Sequence, residues 1–137
     1  MKIVKCTDKD AGELARMNKC LIEDEKSDNP MTVRQLERRM LTFLSGDHEA
    51  FFFEEDNKIL GYALIRNDEK PLYLRQFYIE REFRRKHLGR EAFELLMDHL
   101  GTSVIDIDCL PWNKAGMSFW KSMGFAETCI SMRYRRK

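Results

Sequence analysis

Residues 77–96 read FYIEREFRRKHLGREAFELL, and this stretch decides what kind of fold the chain forms. An apolar strand-like run ends near Ile79. A cluster of Arg84, Arg85, Lys86 and Arg90 follows, with Gly89 inside it. The period then changes, because Leu88, Ala92, Leu95, Leu96 and Leu100 recur at helical spacing. A strand that passes through a basic turn into a helix makes this a mixed α/β chain. The first N–H groups of a helix lack intrahelical acceptors, and the helix dipole adds positive charge there. Such an end suits an anion, a phosphate above all, and a glycine lets the ligand approach the backbone. The residue-level alternative is a solvated basic turn whose glycine only shapes the chain. Neither GxxxxGK[ST] nor GxGxxG is present, so this is not a P-loop or a dinucleotide fingerprint.

Working outward from this joint, residues 2–6 read as a short strand. Thr7 and Asp10 form a capping box ahead of Ala11, Leu14, Met17, Leu21 and Ile22, a first helix that ends in the polar run 23–30. Thr32 and Gln35 form a second capping box, and Val33, Leu36, Met40, Phe43 and Leu44 define a second helix stopped at 45–47. Residues 50–55, 59–66 and 72–79 read as three strands of an antiparallel meander, with turns at 56–57 and 67–71. Gly101 closes the helix that starts near Leu88. A strand is expected at 103–109, a helix capped by Asn113 up to Met123, and a last strand where Thr128, Ile130, Met132 and Tyr134 alternate. The order is β-αα-βββ-α-β-α-β, an α/β fold of the α+β type in one domain spanning 1–137. His48 reads as a loop residue and His99 as a helix-end residue, both structural.

The chain has 137 residues and a formal net charge of +1, from 24 Lys and Arg against 23 Asp and Glu. A nucleic-acid binder shows a clear basic excess, so no nucleic-acid partner is expected and the basic cluster is aimed at something small. Cys6, Cys20, Cys109 and Cys129 are far apart without a CxxC pair, which suggests free thiols, no metal site and no disulfide framework. No run approaches the roughly 18 apolar residues of a membrane span. The N-terminus lacks the apolar core of a signal peptide, so a cytoplasmic setting without a membrane partner is expected.

The stretch DCLPWNKAGMSFWKSMGF, residues 108–125, adds a second motif. With it the chain resembles the GNAT superfamily of acetyl-CoA-dependent N-acetyltransferases. The family's pyrophosphate motif is Arg or Gln, two residues, Gly, one residue, then Gly or Ala. Here it reads Arg84-Arg85-Lys86-His87-Leu88-Gly89, with His87 in place of the middle glycine. The later family motif runs from an Asn through an aromatic pair to Gly-Phe. Here it is Asn113, Phe119-Trp120 and Gly124-Phe125. The element order agrees, so the resemblance covers nearly the whole chain.

The resemblance implies acetyl-CoA as co-substrate, without a metal. Phe77, Tyr78 and Ile79 would pair with the pantetheine arm through backbone groups. Arg84, Arg85, Lys86, His87, Leu88, Gly89 and Arg90 would hold the diphosphate. Asn113 and Trp120 would border the cofactor from the other side. Many family members carry a Tyr where Trp120 stands, and it protonates the departing thiolate. An indole N–H is a donor but no proton source at neutral pH. The thiolate, with a reference pKa of about 8.5, can take its proton from water instead, with Tyr78 and Tyr134 as stand-ins. Trp120 also reads as a plain core residue. Asp108 and Glu80 are the candidate bases for the amine, and each also reads as a surface or capping carboxylate. Glu23, Asp24 and Glu25 border the implied acceptor pocket and are candidates to hold a cationic amine, or form an ordinary solvated run. Cys109 reads as a small buried hydrophobe or as an acyl carrier.

The function so implied is transfer of acetyl to a primary amine of a small molecule or peptide, by direct attack in a ternary complex. The other reading is a catalytically weak acyl-CoA-binding regulatory module. A monomer and a homodimer are both compatible with the sequence.

Overall fold

The computed structural model describes residues 1–84 and 86–137; Arg85 lies outside the described residues. Thr7 and Asp10 do form a reciprocal capping box around a short 3-10 turn, Asp8–Asp10, which leads from strand β1 (Lys2–Lys5) into helix α1 (Ala11–Asp24). Thr32 and Gln35 cap α2 (Val33–Ser45) in the same way. Strands β2 (His48–Glu55), β3 (Lys58–Arg66) and β4 (Leu72–Ile79) follow. A 3-10 turn, Arg81–Phe83, precedes α3 (Leu88–Leu100), β5 (Ile105–Ile107) and α4 (Lys114–Ser122). These elements sit where the periodicity places them, in a mixed α/β fold.

The five strands form one sheet in the order β1-β2-β3-β4-β5. The first three pairings are antiparallel, and β4 with β5 is parallel. The run Phe51-Phe52-Phe53 is buried without alternation, because helices cover both faces of the sheet. Phe51 and Phe53 pack with Phe93 and Leu96 of α3, while Ala50 and Phe52 pack with Leu14 and Met17 of α1 and Met40 of α2.

Three sequence expectations are corrected. His48 is not in a loop; it opens β2 and is 6% exposed. Its Nδ1 lies 2.7 Å from an Asp47 carboxylate oxygen, and its Nε2 accepts from Arg75 Nε at 2.9 Å. The strand at 103–109 shortens to three residues, since only Leu72, Tyr73 and Leu74 of β4 pair with it. The last strand does not form: residues 126–137 join no sheet and all are exposed. An alternating segment becomes a strand only when an edge is there to receive it.

The sheet irregularity that matters lies in β4. Leu64 pairs with Gln76 but Ile65 pairs with Leu74, so Arg75 is the extra residue of a β-bulge. Pairing with β5 stops at Leu74, just before it. Beyond the bulge, no described strand pairs with residues 76–79 on their outer edge.

Candidate active site

Two segments lie by this open edge: the start of α3, where a Cβ on Gly89 would meet the Ile79 side chain at 3.9 Å, and the residue after β5, Asp108, which accepts from the Tyr73 hydroxyl. Helices α2 and α4 begin under side-chain caps: Thr32 Oγ1 accepts from the Gln35 N–H at 3.2 Å, and Asn113 Oδ1 from the Gly116 N–H at 3.1 Å. α3 has no such cap. Its first acceptor-free N–H groups, on Leu88, Gly89 and Arg90, precede the Glu91 N–H, which donates to the His87 carbonyl at 3.2 Å. His87 enters the helix in the left-handed region, at φ 59°. Lys86 and His87 are both exposed beside these donors.

Gly89 has a packing reason that the sequence reading missed. A Cβ there would meet Phe119 of α4 at 3.1 and 3.3 Å. The glycine of the basic turn and the aromatic pair of the later motif therefore touch. Phe119 stacks on Phe77 at 6.1 Å, and Trp120 meets Phe77, Phe119 and Phe125 edge-on at 5.3, 4.8 and 5.1 Å. Trp120 thus sits in an aromatic cluster that joins α4 to β4 and α3.

The basic residues divide their work. Arg84 donates from Nε to the Ile79 carbonyl at 2.7 Å, pairs with Asp24 and lies over the Tyr78 ring. Arg81 pairs with the other Asp24 oxygen at 2.7 Å. Arg90 donates to the Ser122 carbonyl at 2.9 Å, at the end of α4. The two arginines therefore tie the end of α1 to the turn after β4. The candidate Arg85 lies outside the described residues.

The three acidic candidates split as well. Burial alone would raise Asp24, but the hydrogen bonds and charges of Arg84 and Arg81 outweigh it and hold its carboxyl below the usual range. Among the described residues, Glu25 has no such partner. Burial, and then the neighbouring Asp24, push its carboxyl up. Glu23 is exposed. The charge of Glu25 also helps to raise Cys109 and Tyr62, after burial in each case.

Glu80, just past the end of β4, pairs with Arg16 at 3.0 Å. Asp108 accepts from the Tyr73 hydroxyl at 2.8 Å, and burial followed by this contact pushes Tyr73 up to about 12. Burial and then Glu80 raise Tyr78, which keeps it a neutral phenol. Tyr134 stands on the exposed tail. Cys109 is half-buried, and burial followed by Glu25 raises its thiol, which keeps it protonated rather than nucleophilic. One contributor carries no sequence signal: Trp112 donates to the Lys26 carbonyl at 3.2 Å, tying the loop after β5 to the connection between α1 and α2.

A cavity of about 220 Å³ opens at this end of the sheet, lined by Cys20, Tyr78, Glu80, Arg81 and Glu82. A larger one of about 760 Å³ lies at the opposite end, between Cys6, Ser45, His48 and Asn67. None of the candidate residues lines the larger one, whereas Tyr78 and Glu80 line the smaller. Among the described residues, no group of three His, Cys, Asp or Glu is placed to hold a metal ion, and no helix is long and apolar enough to cross a membrane.

The family model described as Acetyltransferase (GNAT) family matches residues 14–125. The chain belongs to the GNAT acetyltransferase family.

Solved structures share the GNAT fold at low identity. A possible acetyltransferase from Clostridium difficile 630 aligns with a TM-score of 0.80 at 14% identity, covering 99% of this chain and 97% of that one. The aminoglycoside N-acetyltransferase AAC(6')-Iy in complex with CoA aligns at 0.74 and 17%, covering 99% and 94%. A predicted acetyltransferase with acetyl-CoA from Clostridium acetobutylicum aligns at 0.75 and 20%, covering 98% and 95%. No curated protein matches the sequence. At the position where the GNAT resemblance expects a glycine, His87 of this GNAT chain holds a left-handed φ of 59°.

Proposed function

We propose that this GNAT chain is an N-acetyltransferase that transfers the acetyl group of acetyl-CoA to a primary amine of a small molecule or peptide, by direct attack in a ternary complex. The observation that carries this reading is the uncapped start of α3 beside the open outer edge of residues 76–79. A linear ligand with a diphosphate at one end and amide groups along its arm fits both features. The backbone of Phe77, Tyr78 and Ile79 would pair with the arm, and the N–H groups of Leu88, Gly89 and Arg90 would take the diphosphate, with Lys86 adding charge. Asn113, whose Oδ1 caps α4, would hold the cofactor from the other side. The bound thioester supplies the acyl group.

A backbone N–H of β4 would donate to the carbonyl oxygen as charge develops there. The amine nitrogen forms its bond to the carbonyl carbon and the carbon–sulfur bond breaks. The amine's proton passes to a carboxylate or through water, with Glu80 and Asp108 as the candidate acceptors. The leaving sulfur is protonated by water or by Tyr78. Glu25 receives the cationic acceptor. Asp24, held by two arginines, shapes the wall instead. The structural relative AAC(6')-Iy is an aminoglycoside N-acetyltransferase, which agrees with an amine acceptor.

Trp120, packed among four aromatic rings, favours the second reading, a module that binds acyl-CoA with little turnover. Calorimetric titration with CoA, followed by thiol release from acetyl-CoA across a panel of primary amines, separates the two. Binding with release for at least one amine supports the enzyme. Binding with no release for any amine gives the module, and no binding at all overturns both.

A further inference from the structure

Arg16, Arg66, Arg81, Arg84 and Arg90 pair with carboxylates, whereas among the described residues Arg39 and Arg75 pair with none. These two meet on one ring. The guanidinium of Arg39, from α2, lies 5.4 Å from the Phe43 ring centroid, and that of Arg75, the extra residue of the β4 bulge, lies 5.2 Å from it. Arg39 Nε is buried without a hydrogen-bond partner. Arg75 Nε donates to His48 Nε2 at 2.9 Å, and its terminal nitrogens have no acceptor among the described residues. Burial lowers the Arg39 guanidinium; Tyr62 opposes this and the charge of Arg75 adds to it. Two cations held on one ring, one of them with a buried unsatisfied donor, are costly unless an anion joins them.

The pair stands next to the candidate site. Pairing with β5 stops at Leu74, so Arg75 is the residue at which the outer edge of β4 becomes free. Its guanidinium also lies 5.3 Å from the centroid of the Tyr73 ring, whose hydroxyl donates to Asp108, a candidate proton acceptor, at 2.8 Å. Gln76, the next residue of β4, accepts from the buried Tyr62 hydroxyl at 2.8 Å, and the Tyr62 ring lies 6.2 Å from that of Tyr78, which lines the small cavity. Phe43 packs with Leu14, Met40 and Tyr62 on the α1–α2 face of the sheet, whereas Phe93 and Leu96 of α3 pack on the other. The start of α3, proposed for the diphosphate, thus belongs to the opposite face, and the arginine pair is left for the acceptor.

We propose that Arg39 and Arg75 bind an anionic oxyacid group, a carboxylate or a phosphate, carried by the amine acceptor. This rests on the reading of the site as that of an N-acetyltransferase and narrows its substrate class to acidic amines. Guanidinium forks match both oxyanions and give them charge-assisted hydrogen bonds. An anion between the two side chains offsets their mutual repulsion and supplies the acceptor that the Arg39 Nε–H lacks. The ring of Phe43 and the His48 Nε2 hold the pair in place, so little ordering is left for the ligand to impose. The two charges of such an acceptor are read by opposite groups, the ammonium by Glu25 and the anion by the arginines. A diamine offers the pair a like charge, and an amino alcohol offers it none.

Thiol release from saturating acetyl-CoA by the full chain tests this, with ω-amino acids, ω-aminoalkyl phosphates, amino alcohols and diamines of matched length as acceptors. At least one acidic amine is expected to exceed its matched amino alcohol by about tenfold or more in kcat/KM, since hydrogen bonds to charged groups are the strong ones. The better of the carboxylate and phosphate series names the group. In Arg39→Met and in Arg75→Met the acid-to-alcohol ratio is expected to fall towards one, chiefly through KM for the acidic amine, and Arg39→Lys is expected to keep part of it. A merely structural role would lower both acceptors alike and leave the ratio unchanged. Release without preference for acidic amines, or a preference that survives both Met variants, overturns the proposal and leaves the acetyltransferase reading standing. If no amine gives release, that reading fails instead, and calorimetric titration of the CoA-saturated chain with the same acidic amines decides the anion site. Binding that Arg39→Met abolishes supports it, and no binding by any of them overturns it.

Discussion

His87 holds φ 59° at the start of α3, a conformation that costs an L-residue roughly 1–2 kcal/mol and that glycine adopts freely. His87→Gly is therefore expected to raise the melting temperature by a few degrees, about 1 kcal/mol, with CoA affinity unchanged or improved. Differential scanning fluorimetry with and without CoA reads both. Asp24 and Glu25, neighbours in sequence, respond to pH in opposite directions. Asp24 is depressed, so the stability it contributes is present above the ordinary carboxylate range and is lost as pH falls through its folded value. Asp24→Asn is expected to melt well below wild type at neutral pH, with the gap closing in acid. Glu25 is raised, so its contribution is full below the ordinary Glu value and is lost as pH rises through the folded one. Glu25→Gln is expected to gain on wild type as pH rises through that window. Melting curves across pH check both signs. If the two variants share one profile, the split between the carboxylates is wrong.

At the scale of elements, the approach of β3 to β4 is the tightest constraint. A Cβ on Gly61 would lie 1.9 Å from the Tyr78 carbonyl oxygen and 2.9 Å from the Ile79 Cα, both backbone atoms that cannot swing aside. Gly61→Ala is expected to cost about 3 kcal/mol and to distort the strand edge offered to the ligand, so that urea denaturation and CoA titration both shift. Periodicity located all four α-helices, and the caps at Thr7, Thr32 and Asn113 were legible because their chemistry is local. The bulge at Arg75 was not. Nothing in LYLRQFYI marks where a register slips, since that depends on what β3 and β5 present on either side. For the same reason the basic turn read as one cluster, whereas Arg84 and Arg90 each reach a carbonyl on another element.

For the whole molecule, the tail adds no packing: residues 126–137 join no sheet and all are exposed. A chain ending at Ala126 is expected to melt within about 2 degrees of the 137-residue chain, since exposed groups away from packed contacts contribute little. Scanning calorimetry of the two chains checks this.

The sequence by itself determined the order of helices and strands as far as α4, because periodicity and caps act over a few residues. Only the tertiary structure decided which carboxylate stays unpartnered, why Gly89 must be small and that 128–134 finds no strand beside it in its own chain. Those outcomes depend on groups brought together from distant parts of the chain: Asp24 meets Arg81 and Arg84, Gly89 meets Phe119, and the tail meets only solvent. A side chain's partner is set by packing, and packing is a property of the folded whole.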